Sequence, residues 1–131
     1  MKAMQHDIGL LILRALTGLG MATHGYAKVF GGRMDGFTEV VAGLGFPAPV
    51  FFAWAAALTE LVGGLLLAVG LLTRTSAFLI FGTMTVAAFI QHANDPFSDK
   101  ELALLYWTVT LAILFLGAGR FSIDRILGRR W

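Results

Sequence analysis

The chain has 131 residues, 57% of them hydrophobic and 14% charged, with a mean hydropathy of +0.77. Soluble domains carry about 45–50% apolar and about 25% charged residues, so this composition excludes an ordinary water-soluble fold and makes lipid part of the solvent. A net charge of only +2 gives no reason to expect a nucleic-acid partner, and the lack of cysteine rules out disulfides, iron–sulfur ligation and thiol chemistry on this chain.

The polar start MKAMQHD leads into an apolar run too long for a signal-peptide core, and no A-x-A site follows, so the first segment is expected to remain as a membrane helix. Four apolar stretches approach the ~20 residues that cross a bilayer. They lie at about 8–30, 50–72, 76–92 and 102–118. Backbone polar groups must be satisfied internally in lipid, so all four read as helices, and nothing shows the alternation of a membrane β-barrel. The predicted fold is an all-α integral membrane four-helix bundle, up-down-up-down, forming a single domain over 1–131.

The first connection, GGRMDGFTEVVAGLGFPAP (31–49), holds Phe37, Val40, Val41 and Leu44 at helical spacing behind Asp35 as a candidate N-cap. A short interfacial helix is expected there, ending near Gly45, with Pro47 and Pro49 breaking the chain before the second span. The second connection reads as a tight turn, TRTS (73–76). The third, HANDPFSDKE (92–101), ends in a Ser98-x-x-Glu101 capping box for the last span. The tail, 119–131, is basic and partly apolar, which suits a membrane surface. Lys2, Arg74, Arg120, Arg125, Arg129 and Arg130 fall on the side of the termini, against Lys28, Arg33 and Lys100 opposite. That excess of positive charge puts both termini in the cytoplasm. Small residues four apart, Gly18 with Ala22 and Ala53 with Ala57, permit close helix packing.

Charged groups in hydrocarbon cost several kcal/mol and turn inward toward partners. On a helical wheel, Arg14, Thr17, His24 and Lys28 fall within an arc of about 80°, one polar stripe on an otherwise apolar helix. Counting ~1.5 Å per residue along each span brings His24, His92 and Glu101 to a similar depth, with Glu60, Tyr106 and Trp107 nearby and Arg14 within axial reach of Glu60. Plain structural readings stand beside functional ones: Glu101 as a helix cap, Lys28 snorkelling to the interface, Trp54, Tyr106 and Trp107 as packing aromatics, and Arg14–Glu60 as an ion pair. Two histidines on different helices at one level favour function for at least one of them.

A quinone-like head group suits such a cluster. Its oxygens want donors, its ring wants apolar walls, and its tail wants access from lipid. His24, His92 and Glu60 are the candidate catalytic groups; Arg14, Lys28, Glu101, Tyr106 and Trp107 are candidate ligand contacts. Haem or a metal ion held by His24 and His92 is the less favoured alternative, since no local ligand motif is present.

The segments LLILRALTGLGMATHGYAKVFG, GLGFPAPVFFAWAAALTELVGGLLLAVGLLTR and LGAGRFSIDRIL together resemble the DoxX family, over about residues 8–127. The resemblance rests on the order and spacing of Arg14, His24-Gly25, Lys28, Pro47-x-Pro49, Glu60-Leu-Val-Gly-Gly and Gly119-Arg120-x-Ser-x-Asp. It implies a small bacterial inner-membrane protein of four helices. Some members of that family are subunits of thiosulfate:quinone oxidoreductase, others belong to oxidative-stress complexes, and many have no established activity. Two functions follow as expectations. One is a quinone-linked redox component acting with partner redox proteins or by self-association. The other is a non-catalytic subunit that anchors or assembles partner oxidoreductases. A transporter fits less well, because four helices leave little room for alternating access.

Overall fold

The structure is a computed structural model and describes residues 2–128. Arg129 and Arg130 of the charge count, with the end of the basic tail, lie outside the described residues. Among the described residues there are only helices and loops. We number the helices α1 (Lys2–Phe30), α2 (Met34–Gly43), α3 (Pro49–Val69), α4 (Thr73–Gln91), α5 (Phe97–Leu116) and α6 (Ile123–Ile126). Three of them, α1, α3 and α4, are long and apolar enough to cross a membrane. The fourth long helix, α5, has 20 residues but begins with Asp99, Lys100 and Glu101 in its first turns.

The helix ends differ from the sequence reading for identifiable reasons. Helix α1 is described from Lys2, six residues before Ile8, and includes the polar KAMQHD segment beyond the apolar stretch. Helix α3 stops at Val69 because Gly70 turns left-handed, with φ 75°. The TRTS stretch is therefore no free turn but the first turn of α4. Its cap comes from far along the chain: Asp124 accepts hydrogen bonds from Leu72 N and Thr73 N, both at 2.8 Å. Helix α5 begins at Phe97 behind Pro96, without a side-chain cap bond, so the Ser98–Glu101 capping box does not form. Similarly, Arg33 rather than Asp35 occupies the N-cap of α2, and Asp35 lies in its first turn.

Long-range contacts show how the helices lie. Helix α3 runs back along α1, placing Gly18 against Gly64 and Ala68, and Gly25 against Ala57 and Leu61. A Cβ on Gly25 would come 2.7 Å from Leu61 Cα and 2.8 Å from Ala57 O, so only glycine lets the two backbones meet there. Helix α5 runs back along α4, with Trp107 between Phe81 and Phe89 and its Nε1 donating to Thr85 Oγ1 at 3.0 Å. Tyr106 on α5 meets His24 on α1. The shared core holds Leu10, Met21, Leu67, Ile80, Met84 and Ile113. Outward faces are apolar, with Leu16, Phe51, Phe78 and Leu105 exposed, as lipid contact requires.

Candidate functional site

Two of the long helices are locally widened into π turns, at Thr59–Gly63 in α3 and Ala87–Gln91 in α4. A π turn inserts one residue into the helical ladder and redirects the side chains around it, and such bulges collect at functional sites. The first carries Glu60 and the second ends beside His92. Because Gly25 lets α1 lie directly on the first π turn, Lys28, one turn further along, reaches Glu60. Its Nζ donates to both carboxylate oxygens, at 2.9 and 2.8 Å. The Glu60 side chain is only 4% exposed, so desolvation of the carboxylate is offset only by a partner of this quality. The short helix α2 closes over the pair: the Lys28 ammonium sits 4.1 Å from the centre of the Phe37 ring, a cation–π contact.

The ion pair forms a wall between two cavities of different character. On one side is an apolar groove of about 370 Å³ between α2, α3 and α4, walled by Phe46, Phe52, Phe78, Leu79 and Val86. On the other lies a chamber of about 210 Å³ that gathers His24, Lys28, Glu60, His92 and Tyr106, along with Gln91 and Asp99. Both are lined by Lys28, Phe37, Glu60, Ala87 and Gln91. A third space of about 350 Å³ lies under the start of α2, between His24, Lys28 and Arg33. In the chamber the His24 ring stands edge-on to Tyr106, 5.9 Å between centroids at 86°. His92 Nδ1 lies 2.8 Å from Asp95 Oδ2, where its N–H donates to the carboxylate and fixes the ring.

Five of the eight residues singled out from sequence therefore line one chamber, and three do not. Trp107 faces α4 through its bond to Thr85. Glu101 is exposed; with α5 helical from Phe97, it stands about 140° around the helix from Tyr106, whereas Asp99 falls within about 20° of it. Asp99 thus occupies the place expected of Glu101. Arg14 does not pair with Glu60. It is buried near the middle of α1 beside Ala68, eight residues or about 12 Å along α3 from Glu60.

Arg14 belongs to a brace that sequence reasoning missed. Its guanidinium donates to the carbonyls of Ala118, Ala68 (3.5 Å) and Phe121 (2.8 Å), which lie at the ends of α5 and α3 and in the loop before α6. The neighbouring Asp124 carboxylate balances its charge and caps α4, while Asp124 N donates to Gly70 O at 2.8 Å. Ser122 Oγ donates to Gly119 O and accepts from Arg125 N, capping α6. The pattern Ser-x-Asp after a glycine-rich helix end was the available signal for this latch.

Among the described residues no group of three or more His, Asp or Glu side chains is placed to hold a metal ion. The fold and site together define an all-helical membrane protein with a buried ion pair between a lateral apolar groove and a polar chamber. The chain belongs to the DoxX family, whose family model matches residues 9–93. It is similar to inner membrane protein YqjF of Escherichia coli, 32% identical over 131 residues, 95% of this chain and 96% of that protein. It is also similar to a Bacillus subtilis protein named "Putative oxidoreductase CatD", 33% identical over 119 residues, covering 90% and 86% of the two chains. Inner membrane protein YphA of Escherichia coli is 33% identical over 125 residues, 88% of each. No solved structure matches at a significant level.

Proposed function

We propose that this chain is a four-helix, up-and-down bundle in a bacterial inner membrane, with both termini in the cytoplasm, and that it binds a quinone-like head group as the membrane component of a redox system. One observation carries this reading: the Lys28–Glu60 pair stands at the junction of an apolar groove and a polar chamber. That is the layout an amphiphile with a polar head and a hydrocarbon tail needs. The relatives named as inner membrane proteins and as an oxidoreductase support the location and the redox class.

The residues fit the group. Lys28 Nζ, the Tyr106 hydroxyl and a ring N–H of His24 supply donors for carbonyl oxygens, and His92 adds its second ring nitrogen to the chamber. Phe37, Met21, Met84 and Leu102 supply apolar walls. Phe52, Phe78, Leu79 and Val86 line a path for a tail from the lipid side. When bound, a quinone takes up two electrons and two protons. Glu60 holds a negative charge beside Lys28 and can take a proton, which frees the ammonium to donate elsewhere. His24 and His92 offer ring nitrogens that can pass protons to a bound head group.

The test is titration of purified protein with a soluble short-chain quinone. His24→Ala and Tyr106→Phe are expected to weaken binding at least tenfold. Unchanged binding in His24→Ala and in His92→Ala would remove the site. A second reading, a non-catalytic subunit that anchors partner enzymes, is favoured by the completeness of the Lys28–Glu60 pairing, which leaves the carboxylate fully satisfied as a brace. Variants that keep their partners but lose redox activity would sink it.

A further inference from the structure

The largest of the four cavities described lies at the other end of the molecule and has no part in the proposed redox site. It measures about 710 Å³ and is bordered by Arg74, Arg120 and Arg125, with His6, Asp7 and Asp124. Its charge is lopsided. Asp124 is committed to the α4 amides and to Arg14. Asp7 is drawn toward Arg120 N, at 3.4 Å, and His6, at 3.9 Å. Among the described residues the guanidinium groups of Arg120 and Arg125 make no hydrogen bond or ion pair. The guanidinium groups of Arg120 and Arg125 therefore face one space whose lining carboxylates, Asp7 and Asp124, are already engaged.

Next in the chain to the lining residues Leu116 and Arg125, Phe115 is 77% exposed and Ile126 81%, higher than any other large hydrophobic side chain described, and Leu116 and Leu127 are exposed as well. Arginine forks match the oxygens of a phosphate in paired hydrogen bonds. A basic pocket at the end of membrane helices, edged by exposed apolar side chains, complements both the head and the chains of an anionic lipid.

We propose that this basin binds the phosphate of an anionic phospholipid, with Arg120 and Arg125 as its principal contacts. The lipid is favoured over a free phosphate because the exposed collar adjoins the arginines. Both arginines are exposed and outside the core, so removing them leaves the helix packing intact.

The experiment compares intact protein, R120A/R125A and R33A/K100A in nanodiscs of mixed phosphatidylglycerol and phosphatidylcholine, reading retained lipid by native mass spectrometry. Wild type and R33A/K100A, which loses the same charge at the opposite end, are expected to retain phosphatidylglycerol about tenfold over its share of the bilayer. R120A/R125A is expected to fall to within twofold of that share. Equal losses in both variants, or no preference in wild type, overturn the proposal. A second arm compares inorganic phosphate with short-chain phosphatidylglycerol as thermal stabilisers in neutral detergent. Equal stabilisation by the two at equal concentration overturns the lipid assignment.

Discussion

The Lys28–Glu60 pair gives a sharp energetic test, because its partners differ in how well they tolerate being left alone. Lys28→Met leaves a carboxylate 4% exposed without its counter-charge. Removing one member of a buried pair costs about 3–5 kcal/mol, and Glu60 has no other hydrogen-bond partner among the described residues. Glu60→Gln leaves an ammonium that is 23% exposed, still stacked on Phe37, and still offered one carbonyl oxygen. The cation–π contact retains about 1 kcal/mol, so this change is expected to cost about 2–3 kcal/mol. The double variant removes both charges and is expected to lie within about 1–2 kcal/mol of wild type, since an uncharged pair of similar volume suits an apolar site. Unfolding in mixed micelles, followed by the fluorescence of Trp54 and Trp107, measures all four corners of the cycle. The coupling energy is expected to be at least about 2 kcal/mol. Additive single effects, each below about 1 kcal/mol, would refute the view that the pair is desolvated and mutually dependent.

Asp124→Ala orphans the amides of Leu72 and Thr73. At about 1–3 kcal/mol for each buried unsatisfied group, the loss is expected to be roughly 2–6 kcal/mol, with faster hydrogen exchange at those two amides. Gly25→Ala forces α1 away from the π turn of α3 and is expected to cost about 1–3 kcal/mol and to weaken quinone binding, both read on the same purified sample. Trp107→Phe loses one neutral hydrogen bond to Thr85. Its expected cost is about 1 kcal/mol, with no change in quinone binding, since the indole faces away from the chamber.

Much of this was legible in the sequence because it rests on short-range periodicity. The stripe on α1 places His24 and Lys28 beside the chamber, and the spacing of Phe37, Val41 and Leu44 locates α2. Hydropathy alone marks the long helices. What could not be read depends on partners distant in the chain or on departures from ideal helices. No local signal shows that the TRTS segment is capped by a carboxylate some fifty residues later, so it read as a turn. The depth count that paired Arg14 with Glu60 used misplaced helix ends and unbroken α-helices. In the structure α3 contains a π turn and stops at Gly70, and Arg14 faces the carbonyls around that stop instead. Glu101 was placed by axial level alone; its angle on α5 turns it away and turns Asp99 in.

The central claim is tested most directly by gentle purification followed by an absorbance spectrum and mass spectrometry of the extracted small molecules. Protein from quinone-producing cells is expected to carry quinone in near-stoichiometric amount, and the His24→Ala protein to carry at least tenfold less. Wild-type protein that contains no quinone, and does not take one up when it is supplied, would contradict the account.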